Sequence, residues 1–363
     1  MKNFHSLSAA VLLFGSVLFS TASAFNSLYA FGDGVCTTTN NDNGGALYHG
    51  KRFSNGRVWI EVLAQRQGLP YDASKNWSYF GQDSASLRNN INHFTAPADA
   101  TNDLFIVWAS DADFVYDVQN YYPNPNLATW NTAISASLTN HYQAILQLYA
   151  KGVRTLIMPN AVDLTKVPQY AGIVSTADKS FVRGRIIYFN TNFSATVNLA
   201  KAACPGLQIH VPDIFALLDD VEANAAKFGL INAVDGNGVV SDVLDTAALA
   251  PWALNGPGTN YIFWDSQNPT AKMHAVIADV VQQLVAPVQF KQLIALPGSN
   301  QLDVVNMPVG LNGAVLYATN LAPAVWRTNS SFSSLTVTQS LFVSPTNDPR
   351  FYRLKFPYQW SWP

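Results

Sequence analysis

Short apolar runs alternate with amphipathic stretches from about residue 27 to residue 286, and this pattern predicts alternating strands and helices. The predicted strands are residues 28–31, the uninterrupted apolar run 104–108, residues 153–158 and residues 207–212. Runs without a polar face are typical of parallel strands that are buried on both sides. The order of elements therefore predicts an α/β domain with a mainly parallel sheet.

Apolar positions at helical spacing indicate the intervening helices. Leu138, Tyr142, Ile145 and Tyr149 fall on one helical face, and Gly152 follows where a glycine commonly ends a helix. Another predicted helix runs from Ile214 toward Asn224. The apolar face of the last predicted helix comprises Met273, Val276, Ile277, Val280, Val281 and Leu284.

The pattern changes at Ala286-Pro287. From there to Pro363 the apolar segments are short and separated by Gly, Pro, Asn and Ser, as in residues 314–317, 340–343 and 351–354. Such spacing is typical of small all-β domains. We therefore predict a main domain over residues 25–286, followed by a C-terminal β module over residues 287–363 that forms a small sandwich.

The N-terminal 24 residues have the pattern of a signal peptide. Lys2 precedes an apolar run over residues 11–19, and Ala22-Ser23-Ala24 supplies small residues at the cleavage positions. The apolar run is too short to span a bilayer, and no later segment is long enough. The sequence thus predicts an exported protein, either periplasmic or extracellular, without a transmembrane segment.

Charged residues make up only 12% of the chain, and its formal net charge is −2. No cluster of Lys and Arg is present, which argues against nucleic acid as a partner. A weakly charged surface suits neutral ligands such as sugars or acylated polymers. CxxC and HExxH spacings are absent, so no zinc site or cofactor is indicated. The two cysteines, Cys36 and Cys204, form no disulfide framework, and whether they pair is left open.

Four segments, in consistent order, resemble the motifs of the GDSL (SGNH) lipase/esterase family. Residues 28–34, Leu-Tyr-Ala-Phe-Gly-Asp-Gly, are similar to the strand that ends in the family's Gly-Asp-Ser. Residues 52–56, Arg-Phe-Ser-Asn-Gly, match a segment that leads into the first long helix. Residues 206–232 resemble a late strand and helix, and residues 265–270 resemble the Asp-x-x-His-Pro-Thr block.

The resemblance implies a three-layer α/β/α fold with a flavodoxin-like parallel sheet. It also implies hydrolysis of carboxylic esters, on lipids or acylated glycans, through an acyl-serine intermediate. In such a site a His takes the proton of the Ser hydroxyl, an Asp orients the His, and hydrogen-bond donors stabilise the oxyanion.

Carried onto this chain, most of the family's catalytic residues are replaced. The nucleophile position is Gly34, and the base position is Asn268. The oxyanion positions are Gly81, which is retained, and Ala112, where the family has Asn. Asp265 remains as the acid of the triad. We therefore predict a hydrolase-family protein that is catalytically impaired, a pseudoenzyme that binds an ester, lipid or glycan ligand.

The alternative hypothesis is an active esterase with a rearranged catalytic set. Its candidates are Ser54 or Cys36 as nucleophile, with His49 or His274 as base; each residue also has an ordinary structural interpretation. A third hypothesis is a surface or matrix protein without a small ligand.

Two further features allow more than one interpretation. Asp33, Asp111, Asp113 and Asp265 come near one edge of the predicted sheet, where they could bind a cation or mark a polar, solvated cleft. The aromatic residues of the C-terminal segment 356–363 could stack on the sugars of a surface polysaccharide or cover the end of the sandwich.

Overall fold

A computed structural model describes residues 25–42, 44–122, 126–345, 350–357 and 361–362, and the predicted signal peptide lies outside this part of the chain. Four parallel strands form the central sheet in the order β1-β2-β3-β4. They are β1 (Leu28–Gly32), β2 (Leu104–Trp108), β3 (Thr155–Ile157) and β4 (Gln208–His210). Every residue of the first three strands is buried, as the apolar runs predict.

An extended segment lies beside the free edge of β1. The Trp77 N–H donates to the Ala30 carbonyl at 2.8 Å, and the Tyr79 N–H donates to the Gly32 carbonyl at 3.1 Å. Counted with this segment, the chain order across the sheet is 2-1-3-4-5, the flavodoxin-like order, with its switch point between β1 and β2. The predicted fold class is therefore confirmed.

Helices pack in two groups beside this sheet. One group contains α1 and α8, and the other contains α2, α4 and α6. The helices are α1 (Trp59–Arg66), α2 (Ser84–His93), α3 (Ser110–Tyr121), α4 (Leu127–Ala150), α5 (Pro168–Ile173), α6 (Thr176–Ala203), α7 (Ile214–Ala223) and α8 (Ala271–Val285). Among the described residues, none of the helices has the length and apolarity needed to cross a membrane.

The C-terminal strands form two antiparallel sheets, in the orders β5-β6-β9 and β11-β10-β7-β8. The strands are β5 (Gln289–Leu296), β6 (Ser299–Val305), β7 (Asn312–Ala318), β8 (Arg327–Ser333), β9 (Thr338–Val343), β10 (Phe351–Lys355) and β11 (Ser361–Trp362). Leu302 and Leu341 of one sheet share a core with Val315 and Leu354 of the other. The predicted all-β part is thus confirmed. Residues 358–360, which carry two of the aromatic side chains considered for sugar stacking, lie outside the described residues.

Arg66 connects the two parts of the chain. Its Nε donates to Asp279 Oδ1 of α8 at 2.6 Å, and its Nη1 donates to the Val309 carbonyl at 3.0 Å. The Val309 N–H in turn donates to the Arg66 carbonyl at 3.1 Å. Because Ala286 and Val288 between α8 and β5 are also buried, the connection is packed rather than loose.

The proposed boundary at residues 286–287 can be tested by pulse proteolysis in urea. The β module has a small core of its own, separate from the much larger core of the α/β part. Since small cores stabilise less, we expect the β module to unfold first and leave a protected fragment of about 260 residues. Simultaneous loss of all protection at one urea concentration would show that the chain unfolds as a single unit.

Candidate active site

The loop before α8 fixes Asn268 against Asp265. Asp265 Oδ1 accepts the backbone N–H groups of Gln267 at 2.9 Å and of Asn268 at 2.7 Å. The Asn268 side-chain amide donates to the same carboxylate at 2.9 and 3.1 Å. Tyr48 donates its hydroxyl to Asp265 Oδ2 at 2.9 Å. Burial raises the pKa of Asp265, and these hydrogen bonds oppose that rise.

The Asn268 amide oxygen lies close to Gly34, in the turn that follows β1. A Cβ placed on Gly34 would be 3.4 Å from Asn268 Oδ1 and 3.1 Å from Cδ2 of Phe80. The predicted nucleophile position and the predicted base position are therefore neighbours, although the sequence separates them by more than 200 residues.

The two predicted oxyanion positions lie around the same space. Gly81 and Ala112 line one cavity together with Gly34 and Asn268. Gly81 has a φ of +75°, which glycine adopts readily, and Ala112 lies in the first turn of α3. Asp265 is hydrogen-bonded to Asn268 and therefore lies beside the same cavity. The structure thus brings together all five residues that the motifs predict.

In this arrangement the donors and acceptors follow the same order as in a catalytic triad, but the Ser hydroxyl and the His imidazole are missing. The Asn268 Nδ2 donates to Asp265 as an imidazole Nδ1–H would, while its amide oxygen faces position 34. An amide oxygen does not take up a proton near neutral pH, and glycine has no side-chain nucleophile. Asn268 and Asp265 can form hydrogen bonds with a ligand or with each other. With Gly34 at the nucleophile position, however, these three residues cannot form an acyl intermediate.

Among the described residues, no side-chain hydrogen bond joins a nucleophile candidate to a base candidate of the rearranged set, although the His49 N–H donates to the Ser54 carbonyl at 2.9 Å. The Ser54 hydroxyl is buried and donates to the Pro269 carbonyl at 3.0 Å. Cys36 is fully buried, and burial raises the pKa of its thiol well above the usual range. His49 is exposed, whereas His274 is fully buried in α8. None of these four residues lines the cavity.

The cavity has a volume of about 290 Å³ and mostly apolar walls. It lies at the carboxyl ends of β1 and β2, the switch point where ligands bind in open α/β sheets. Its apolar lining includes Val115, Val167, Leu218, Ile262, Met273 and Ile277. Among the described residues, its lining contains no Ser, Thr, Cys, His, Lys or Arg.

Asp33 and Asp111 bring carboxyl groups to this cavity. Their exposed fractions are only 8% and 7%, so both carboxyl groups are largely buried in the wall of the cavity. The Val35 N–H donates to Asp33 at 3.2 Å, and the Val162 N–H donates to Asp111 at 3.0 Å. Asp113 instead accepts the Ser84 N–H and the Ser137 hydroxyl, away from the lining. No group of three or more metal-binding side chains occurs in the described part of the chain.

Sequence reasoning missed several residues of the site. Tyr48 orients Asp265, Phe80 covers Gly34, and the buried Tyr170 lines the cavity. Phe80 precedes the predicted Gly81 in sequence, so of the three residues it was the easiest to predict. Tyr48 and Tyr170 belong to no motif, and only the packing of distant loops brings them here.

A sequence profile of the GDSL-like lipase/acylhydrolase family matches residues 28–281. The chain therefore belongs to that family.

Two relatives illustrate the range of the family. The thermolabile hemolysin of Vibrio parahaemolyticus is 25% identical over 280 residues, covering 70% of this chain and 62% of that protein. A GDSL esterase/lipase of Arabidopsis thaliana is 28% identical over 207 residues, covering 54% of this chain and 55% of the relative. The chain thus spans less than two thirds of the length of either protein.

Solved structures give a further, distant similarity. An acetylxylan esterase from Geobacillus stearothermophilus is 11% identical with a TM-score of 0.41, covering 72% of this chain and 94% of the esterase. A lipase from a goat rumen metagenome is 9% identical with a TM-score of 0.42, covering 71% of this chain and 97% of the lipase.

Proposed function

We propose that this chain is a non-catalytic member of its family that binds an apolar, chain-bearing ligand in the cavity at the switch point. The observation that carries the proposal is the pairing of Gly34 with Asn268, where an esterase needs a nucleophile and a base. The site keeps a binding cavity but has neither reactive group.

The walls of the cavity support an aliphatic ligand. Side chains from α7, α8 and the loop before α5 supply aliphatic surface, and the volume is about twice that of an apolar cavity that holds benzene. An acyl chain of about eight carbons is a reasonable occupant of that space. Ligands of this class are the acyl chains of lipids and of acylated glycans.

We also propose that the protein acts outside the cytoplasm. Support comes from residues 1–24, which have the basic start, apolar run and small cleavage residues of a signal peptide. Contact between the β module and a surface polysaccharide remains a prediction.

The proposal predicts binding without turnover. With p-nitrophenyl butyrate we expect a hydrolysis rate equal to that of the buffer blank. With the neutral fluorophore N-phenyl-1-naphthylamine we expect saturable binding, because the probe is apolar and the cavity walls are apolar. Turnover above the blank would contradict the loss of catalysis, and an absence of probe binding would contradict the ligand-binding role.

A pair of tryptophan substitutions on α3 localises that binding. Val115 lines the cavity, whereas Asn120 is exposed on the same helix and does not line it. Val115→Trp should fill the cavity and weaken probe binding at least about tenfold, since most of the apolar contact is lost. Asn120→Trp should bind like the unmodified protein. Equal binding by both variants would place the probe elsewhere.

A further inference from the structure

The polar groups that line the cavity indicate which head group the ligand has. Asp33 and Asp111 both line the cavity, are more than nine-tenths buried, and have no basic side chain beside them in the lining. Burial raises the pKa of both carboxyl groups, and the negative charge of Asp33 raises that of Asp111 further. A positive charge in the cavity would therefore relieve an unfavourable burial.

A third polar group points to the same ligand chemistry. Tyr170 is 1% exposed and lines the cavity, yet its hydroxyl has no hydrogen-bond partner among the described residues. Asp33 lines the same cavity, and burial together with the charge of Asp33 raises the pKa of Tyr170 to about 12. Buried hydroxyls in native proteins are nearly always hydrogen-bonded, so a group with an unused acceptor and donor suggests a bound partner.

The aromatic walls favour a cation as well. Trp108, Phe80 and Tyr116 line the cavity along with Tyr170. The faces of aromatic rings attract ammonium groups, and the attraction increases when the cation is removed from water.

We propose that the cavity binds an aliphatic amine as its ammonium ion, with the head group at Asp33, Asp111 and the Tyr170 hydroxyl and the alkyl chain along the apolar walls. An ammonium group brings three donors and the positive charge that these residues lack. An ionised fatty acid would instead place a third carboxylate beside two buried ones. This inference rests on the proposed function, because it specifies the head group of a ligand bound in the same cavity.

Three ligands with the same chain length test the head group. Octylammonium, 1-octanol and octanoate at pH 7.5 compete with N-phenyl-1-naphthylamine for the full-length protein. We expect octylammonium to bind at least about tenfold more tightly than octanol and at least about 100-fold more tightly than octanoate. These comparisons need no variant, so they hold whether or not a substituted protein folds.

Substitutions assign the selectivity to the named residues. Asp111→Asn keeps an oxygen that can accept the Val162 N–H, and it should reduce octylammonium binding about tenfold while octanol binding changes less than about threefold. Tyr170→Phe should weaken octylammonium binding by about fivefold through the lost acceptor. Asp42→Asn is the matched control, since it removes one surface carboxylate that is 70% exposed and should change nothing.

The outcomes separate the two proposals. Equal binding of the three ligands, or tightest binding of octanoate, would overturn the amine inference and leave the ligand-binding role intact. Amine selectivity that survives Asp111→Asn unchanged would overturn the assignment to the cavity carboxyl groups. Failure of all three ligands and of the fluorophore to bind would overturn the proposed function itself.

Discussion

A triple variant, Gly34→Ser with Ala112→Asn and Asn268→His, is expected to hydrolyse p-nitrophenyl butyrate about 10⁴-fold faster than the unmodified protein. The imidazole Nδ1 and the amide Nδ2 are both bonded to Cγ, so a His at position 268 can donate to Asp265 from nearly the same place. A complete triad contributes about 10⁶-fold, and misplacement of about 1 Å costs roughly 100-fold. The expected gain therefore falls well short of a natural esterase.

The backbone at position 34 favours this outcome. Gly34 is not among the glycines with positive φ, so a side chain there brings no left-handed strain. The close contact is with Phe80, whose ring is 48% exposed and has room to move by the few tenths of an ångström required. We accordingly expect the variant to fold with a melting temperature close to that of the unmodified protein.

Single substitutions provide the control for the triple variant. Because members of a triad act as a unit, each one alone should remain near the background rate. A folded triple variant that shows no turnover would contradict the assignment of these three positions. Comparable activity in one of the single variants would mean that another residue supplies the missing group.

Replacing His274 by Leu is expected to remove a large part of the protein's acid sensitivity. Both ring nitrogens of His274 lack hydrogen-bond partners among the described residues, and burial lowers its pKa to about 3. In the unfolded chain the same ring takes up a proton below about pH 6.5. Between these two pKa values only the unfolded state is protonated, so the unmodified protein loses stability as the pH falls through this window.

The size of the effect follows from proton linkage. Each pH unit below 6.5 should cost the unmodified protein about 1.4 kcal/mol, or about 3 kcal/mol at pH 4, relative to His274→Leu. Urea unfolding of both proteins at pH 7 and pH 4 measures this difference, and carboxyl groups common to both cancel. His93→Leu, at an exposed position of α2, is the control. A constant difference between the two proteins across this pH range would mean that His274 is protonated in the folded state.

The sequence allowed the candidate site to be predicted because its residues belong to contiguous motifs. Segments 28–34 and 265–270 each contain the residues of one loop at the site, and a parallel sheet brings the ends of its strands to one edge. The mutual position of Gly34, Asn268 and Asp265 followed from that geometry. The strands β1, β2 and β3 were predictable for a related reason, since each of them is buried on both faces and lies within an apolar run.

Other features depend on packing that no local pattern contains. The partnership of Tyr48 with Asp265 joins residues 217 apart in sequence. The cavity exists because side chains from α3, α7 and α8 leave space between them. Only this packing buries Asp33 and Asp111 in a lining without a basic side chain. Helix α6 was not predicted, although Val182, Ile186, Phe189 and Phe193 recur at helical spacing and are all buried.

Reaction with a fluorophosphonate, followed by intact-protein mass spectrometry, tests the central claim most directly. The reagent labels an activated serine, and the claim is that Gly34 and Asn268 leave none in this site. We predict no added mass on the unmodified protein under conditions in which the triple variant gains one phosphonyl group at position 34. Stoichiometric labelling of the unmodified protein would contradict the account and reveal a catalytic residue elsewhere in the chain.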